Sequence, residues 1–312
     1  MPPLPILLAT DGSPETEALC AAAHFVSSRW NAPIEVVAVC EPTPLAPAVG
    51  GGVVSAPEID AIRQQSMRED VRRAIALSVR GDASWPVEVP IGGASDVVAR
   101  TACQRNAQLI IMGIGRHNPL DRLFGTETTL ATVRKSCTPI LAVSAAFAGQ
   151  IHNAIVGMDF SAASVHAARL VLSLLRGGST LTLVHVRPAL DHPRADWAAW
   201  DQSYGASLTP LFADVVASLR APADIVVHTV SVRGDPAPAL LIYAQQHHAD
   251  LIGIGTQRTG LPDRLLVGSV ATRVLRNARI ATLAVPATAA ASEKADVEIT
   301  AGIRAHVGNH GA

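Results

Sequence analysis

Short, unbroken apolar runs recur along the chain, separated by longer stretches in which apolar residues return with helical spacing. In the first half the runs are Ile6–Ala9, Ile34–Cys40, Val87–Ile91, Gln108–Gly113 and Ile140–Val143. In the second they are Ala154–Gly157, Thr180–Val186, Ile225–Val232, Asp250–Gly255 and Thr282–Val285. The runs are rich in β-branched residues and do not alternate with polar ones. That suits strands covered on both faces, and hence mostly parallel sheets flanked by helices.

Helix signals fall between the runs. Ser13 and Ser161 are N-cap candidates, and Pro14 stands where a helix tolerates proline best. The spacing predicts middle helices over Glu58–Val79 and Ser207–Leu219, and helices before the fourth strands over Val97–Asn106 and Ala239–His248. The order βαβαβαβαβ, found twice, predicts an α/β fold of two tandem, doubly wound, five-stranded parallel-sheet domains.

The two halves repeat one another in sequence. The Asp11-Gly12-Ser13 turn after the first strand is echoed by Asp159-Phe160-Ser161. At one common offset, Leu109–Gly113 corresponds to Leu251–Gly255, Asp121-Arg122-Leu123 to Asp263-Arg264-Leu265, and Pro139–Val143 to Ala281–Val285. The boundaries read as 1–147 and 148–286, with the short connection Ala145–Ile151 between them. The small, polar, alanine-rich stretch 287–312 reads as a flexible tail.

Composition narrows the classes. Hydrophobic residues make up 49% and charged residues 16% of the 312, with a formal charge of −1, so no global field draws in nucleic acid or an anionic membrane. Cys20, Cys40, Cys103 and Cys137 are irregularly spaced and form no CxxC pair, which suggests reduced, mostly buried thiols. With no apolar run of spanning length and no basic leader, the expected location is cytoplasmic.

In an open parallel sheet, ligands bind beyond the carboxyl ends of the strands where strand order reverses. This places Asp11 and Asp159 beside the turns after the fourth strands. Those turns run Gly113-Ile114-Gly115, then nine residues, then Gly125-Thr126, and Gly255, then twelve residues, then Gly268-Ser269. Glycines permit close backbone approach to an anion, and a helix N-terminus favours phosphate. Each feature also has a plain structural reading. The aspartates can close Asx turns, and the glycines can simply turn strand into helix. His185 reads as packed or hydrogen-bonded, His247 and His248 as surface residues, Trp197 and Trp200 as packing residues, and Cys40 as a buried thiol.

These aspartates and glycine turns, with Leu183-Val184-His185-Val186-Arg187-Pro188 and Gly268–Arg276, resemble the universal stress protein family over nearly the whole chain except the tail. The resemblance implies the adenine nucleotide alpha hydrolase-like fold, with ATP or another adenine nucleotide as ligand and Mg accompanying it. In ATP-binding members, the aspartate and a valine ending strand two hold the adenosine. A Gly-x2-Gly-x9-Gly loop closed by Ser or Thr holds the phosphates. Carried over, the second copy supplies Asp159, Val186, Ile254, Gly255, Gly268 and Ser269, and the first Asp11, Val39, Met112, Gly113, Gly115, Gly125 and Thr126. The resemblance also implies a stress-response or regulatory role and a pseudo-dimer of the two copies through their fifth strands, with room for homodimerisation and unidentified protein partners.

Both copies depart from the family loop. In the second, Arg258 stands in place of the middle glycine, with Gly260 two residues on. In the first, the leading gap is one residue short and Glu127 follows Thr126. A carboxylate at a helix start competes with phosphate, so the second copy is the better nucleotide site. No catalytic signature is present. Neither Lys135 nor Lys294 follows glycine, there is no GxSxG or HExxH, and Thr10–Pro14 lacks the Ser-Gly-Gly-x-Asp-Ser cradle of related enzymes that split ATP. The expectation is therefore a binding protein. A nucleotide-free interaction scaffold of the same fold is the alternative, and an ATP-hydrolysing enzyme ranks third.

Overall fold

A computed structural model describes residues 3–42, 56–79, 84–114, 125–147, 149–187, 197–256 and 268–287. The chain divides into two compact units, Met1–Gln150 and Ile151–Ala312. The first unit runs β1 (Ile6–Ala9), α1 (Thr16–Trp30), β2 (Ile34–Val37), α2 (Ala56–Ser78), β3 (Val87–Glu88), α3 (Ala94–Gln104), β4 (Leu109–Gly113), α4 (Thr126–Lys135) and β5 (Ile140–Val143). The second runs β6 (Asn153–Gly157), α5 (Ala162–Leu174), β7 (Thr180–Arg187), α6 (Trp197–Leu219), β8 (Val226–Arg233), α7 (Pro236–Gln246), β9 (Leu251–Gly255), α8 (Ser269–Asn277) and β10 (Ala281–Val285).

Both units have the same topology. Strands lie parallel in the order β3-β2-β1-β4-β5 in the first unit and β8-β7-β6-β9-β10 in the second. The first strand of each unit sits between the second and fourth, with Ile6 opposite both Ile34 and Leu109, and Ala154 opposite both Leu181 and Leu251. Strand order reverses there, so the chain leaves each central strand at the crevice where ligands bind such sheets.

The central strands are buried, apart from the end residues Asn153, Gly157 and Gly255 of the second unit. Ile6–Ala9, Leu109–Met112 and Ile140–Ala142 have essentially no exposed surface, as do Ala154–Val156 and Leu283–Val285. Each large side chain of this kind stabilises its unit by about 1.5–3 kcal/mol relative to exposure. The apolar runs without alternation are thus explained by helices on both faces.

β2 ends at Val37 rather than Cys40, and α3 and α7 each start three residues before the expected Val97 and Ala239; three other elements differ more from expectation. β8 is not covered on both faces. It ends the sheet of its unit and is largely exposed, with Val226 at 51%, and its β-branched residues keep it extended without deep burial. β3 has two regular residues rather than five, because Pro90 has no N–H to give. Pairing resumes only as an isolated Cys40–Ile91 bridge. α6 begins at Trp197, ten residues before the expected Ser207, and continues through Pro210. Two cysteines also depart from expectation: Cys20 and Cys40 are buried, but Cys103 and Cys137 are exposed. Burial pushes the Cys20 thiol up to about 12, so it remains protonated.

The Trp197 and Trp200 side chains, the repeated Asp-Arg-Leu segments and the tail from residue 288 onward lie outside the described residues. Among those described, no helix is long and apolar enough to cross a membrane.

Candidate functional site

In the second unit, the turn leaving β6 is built from local hydrogen bonds. The Ser161 amide and hydroxyl both donate to Asp159 Oδ1, at 3.0 and 2.6 Å, and the Ser161 hydroxyl accepts from the Ser164 amide at 3.2 Å. Ser161 is therefore the N-cap of α5, as its position predicts. Asp159 closes an Asx turn, yet it remains exposed, with a second carboxylate oxygen available.

The first unit makes the same Asx turn, with the Ser13 amide 2.9 Å from Asp11 Oδ1. Ser13 is not a helix cap, however. α1 starts at Thr16, after Glu15, and the Thr16 amide donates to the Ser13 carbonyl at 2.9 Å. The Asp-Gly-Ser-Pro sequence forms a separate turn first, so Pro14 precedes the helix rather than opening it.

A pocket of about 240 Å³ lies at the carboxyl end of the second sheet, lined by Asp159, Val186, Ile254, Gly255, Gly268 and Ser269 together. All six positions taken from the second copy thus meet around one space. Its remaining wall is formed by Gly157, Met158, Val184, His185, Pro236, Leu240, Val270 and Ala271. Pro236 and Leu240 sit on the first turns of α7, where no motif marked them.

At one end of the pocket lies the start of α8, whose Ser269, Val270 and Ala271 line it. Its N-cap is Gly268, which has no side chain to cap the first turn, and that turn contains no acidic residue. The N–H groups of this turn, which have no partner within the helix, thus receive no cap from the side chain of their N-cap residue. α4 also begins on a glycine, Gly125, with no side-chain cap, but Glu127 occupies its first turn. Thr126 is the first residue of α4.

Gly255 owes its identity to packing. A Cβ there would lie 2.9 Å from both the Ala163 Cβ and the Ser164 amide nitrogen, because the end of β9 presses on the start of α5. A glycine at this turn suits close approach of an anion, but contact with the helix already accounts for it. Gly268 has φ −55°, a conformation open to any residue, so its value lies in the missing side chain.

Behind Asp159 lies a network that was not legible as a site. Phe160 has φ 61°, in the left-handed region, where Gly12 stands in the first unit with φ 78°. A bulky residue there costs about 1–2 kcal/mol. Phe160 is held by an edge contact to Phe212 at 5.1 Å and a tilted contact to His185 at 5.2 Å. His185 Nδ1 donates to the Met158 carbonyl oxygen at 2.7 Å, which leaves Nε2 as acceptor for the Tyr204 hydroxyl at 3.0 Å. Burial lowers the His185 pKa below the ordinary 6.5, against the Met158 bond and the Asp159 charge, which raise it. Burial likewise raises the Tyr204 pKa.

In the first unit, Val39, two residues past the end of β2, and Met112, near the end of β4, are fully buried, and the amide of Ala38, just before Val39, donates to the Glu88 carbonyl. The Gly113 carbonyl accepts from the Thr129 hydroxyl at 2.9 Å, which ties β4 to α4. Gly115, like Arg258 and Gly260 in the second unit, lies outside the described residues. Among the described residues no group of His, Cys, Asp or Glu is placed to hold a metal ion.

The universal stress protein family model matches residues 4–144 and, a second time, 150–286. The chain belongs to the universal stress protein family. A universal stress protein of Mycolicibacterium smegmatis is 24% identical over 280 residues, covering 88% of this chain and 94% of that protein. One from Methanocaldococcus jannaschii is 45% identical over 60 residues, a match spanning 19% of this chain and 35% of that protein's length. The crystal structure of a universal stress protein from Archaeoglobus fulgidus aligns over 91% of this chain and 96% of its own, with TM-score 0.59 and 18% identity. That likeness shows the fold, and two family domains in tandem explain why the two units share one topology.

Proposed function

We propose that this universal stress protein binds an adenine nucleotide, ATP foremost, in the pocket of its second unit and acts as a binding protein in a cytoplasmic stress response. The observation that carries this reading is the convergence of Asp159 and Val186 with Gly268 and Ser269 around one pocket, which opens onto a helix start without a side-chain cap. Asp159 and Val186 would hold the ribose end, and the α8 amides the phosphates. At about 240 Å³ the pocket is below the usual ~300–1,000 Å³ of small-molecule sites, so it suits the nucleoside better than the whole triphosphate. Mg would ride on the phosphate oxygens, since the described residues offer it no cage. The first unit is the weaker candidate because Glu127 faces the same helix start.

The test is to denature purified protein, identify released small molecules by mass spectrometry, and titrate the stripped protein with ATP by calorimetry. Adenine nucleotide that is lost with Asp159→Ala and kept with Asp11→Ala supports the reading. No heat of binding at millimolar ATP would remove it. One observation favours the second reading, a nucleotide-free scaffold: packing against α5 accounts for Gly255 without any ligand.

A further inference from the structure

β8 is the outer strand of its unit and stays open along Val226–Arg233, since among the described residues no strand pairs on its far side. Two main-chain bonds fix which of its groups are free. The Val226 amide donates to the Ser179 carbonyl and the Gly234 amide to the Arg187 carbonyl, at 3.0 Å each, so the even-numbered residues face β7. A strand residue turns its N–H and C=O to the same side, and those of Val227, Thr229 and Ser231 therefore point outward.

The corresponding edge of the first unit is protected. β3 is cut to two regular residues between Pro86 and Pro90, and its Glu88 carries a charge paired with Arg105. Proline, charge and short length each keep an edge strand from adding another. β8 has none of these devices. It is eight residues long, contains no proline or lysine, and bears its one fixed charge at its last position, Arg233. Val226, His228 and Thr229 are exposed along it.

We infer that β8 pairs antiparallel with β8 of a second copy of this chain, about a twofold axis at Thr229, and so forms a homodimer. The strand is complementary to itself in that register. Thr229 stands opposite Thr229 of the second copy, Val227 opposite Ser231, His228 opposite Val230, and Val226 opposite Val232. The outward groups of Val227, Thr229 and Ser231 then all fall in hydrogen-bonded pairs, which exchange both main-chain bonds. Facing β-branched residues at Thr229–Thr229 and Val226–Val232 add side-chain contact, and the exposed Val226 is covered. The two Arg233 side chains lie at opposite ends of the paired stretch, so like charges do not meet. An unrelated peptide would match the main chain as well, but the neutral strand carries no charge pattern that would select one over its own copy. Pairing through one strand is small beside a standard interface of ~1,600 Å², so the dimer should be reversible, with a dissociation constant on the order of micromolar.

The full-length protein is examined by sedimentation equilibrium from low to high micromolar concentration, and amide hydrogen exchange is followed by NMR over the same range. A monomer–dimer equilibrium is expected, with the Val227, Thr229 and Ser231 amides protected only where dimer forms. Thr229→Lys sets two ammonium groups against each other at the axis and should weaken the dimer roughly tenfold, as should Thr229→Glu. An equal mixture of the two variants should dimerise at least as well as the parent, because opposite charges then meet. Thr229 is exposed and its main-chain groups point away from β7, so both variants should keep the fold, which denaturant unfolding verifies. A protein that stays monomeric throughout overturns the inference. So does a dimer that neither variant weakens, or one that mixing the variants does not restore. Protection of the three amides in a monomer overturns it as well, since the chain would then cover its own edge.

Discussion

His185 and Met158 are joined by a 2.7 Å hydrogen bond from the imidazole Nδ1 to the main-chain carbonyl oxygen, so the second strand holds the turn that presents Asp159. Since Nδ1 carries the proton, Nε2 must accept from Tyr204, and the ring is fixed at both ends. His185→Gln keeps one polar contact but not both, and should weaken ATP binding in the second unit without emptying the pocket. Calorimetry on the purified variant checks this, and affinity equal to the parent protein would show that the Asp159 turn holds itself.

The same histidine makes stability depend on pH. Its folded-state pKa lies below the ordinary 6.5, so between those two values the unfolded chain binds more protons than the folded one. The stability contributed by neutral His185 is therefore present above about pH 6.5 and is lost as pH falls towards the folded value. Thermal unfolding midpoints should drop over that interval in the parent protein, and the drop should be smaller in His185→Gln.

Phe160 and Gly12 hold equivalent positions in the left-handed region, and each should lose stability on substitution for a different reason. Gly12→Ala imposes the left-handed penalty and pushes a Cβ to 3.4 Å from Val71, for a loss of about 1–2 kcal/mol. Phe160→Gly relieves that penalty but gives up the contacts with Phe212 and His185. Truncating a buried Phe costs about 3–5 kcal/mol, so the net loss should be about 1–4 kcal/mol. Chemical denaturation of the two variants measures both, and a larger loss for Phe160→Gly than for truncation of Phe212 would mean that its backbone is not strained.

Gly255→Ala separates packing from phosphate approach. The added Cβ meets the backbone of α5 at 2.9 Å, a contact that cannot be relieved by turning a side chain. Overpacking of this kind costs about 1–3 kcal/mol, so the variant should lose stability even without nucleotide. Unchanged stability of the stripped protein, with weaker ATP binding alone, would return Gly255 to the phosphate role.

Much of this was legible in the sequence because burial on both faces leaves an unmistakable mark. Ile6–Ala9 and Leu109–Met112 have no polar position to spare, and such runs, separated by helical spacing, admit few arrangements. The aspartate turns and glycine-capped helices were readable from local chemistry. Phe160, Pro236 and Leu240 were not: Pro236 and Leu240 reach the pocket wall through tertiary packing, and a phenylalanine gives no local sign of a left-handed backbone. Ser13 misled because the Asp11 turn and a helix cap draw on the same residue types. The start of α6 was missed because Gly205, a poor helix former, interrupts the pattern just before Ser207.

The contrast between α4 and α8 gives the most direct test of where phosphate binds. Both helices begin on an uncapped glycine, and position three of that start is Glu127 in one and Val270 in the other. Val270→Glu transplants the acidic residue into the second unit, where its charge opposes phosphate at the same partial positive pole. Such a helix-terminal charge is worth about 0.3–1 kcal/mol, so ATP affinity should fall roughly twofold to fivefold, and less at high salt. Because Val270 is half-exposed, the fold should survive, which unfolding by denaturant verifies. The reciprocal change, Glu127→Gln, should improve any binding by the first unit by a similar factor. If Val270→Glu binds ATP as tightly as the parent at both low and high salt, the start of α8 is not where the phosphates lie.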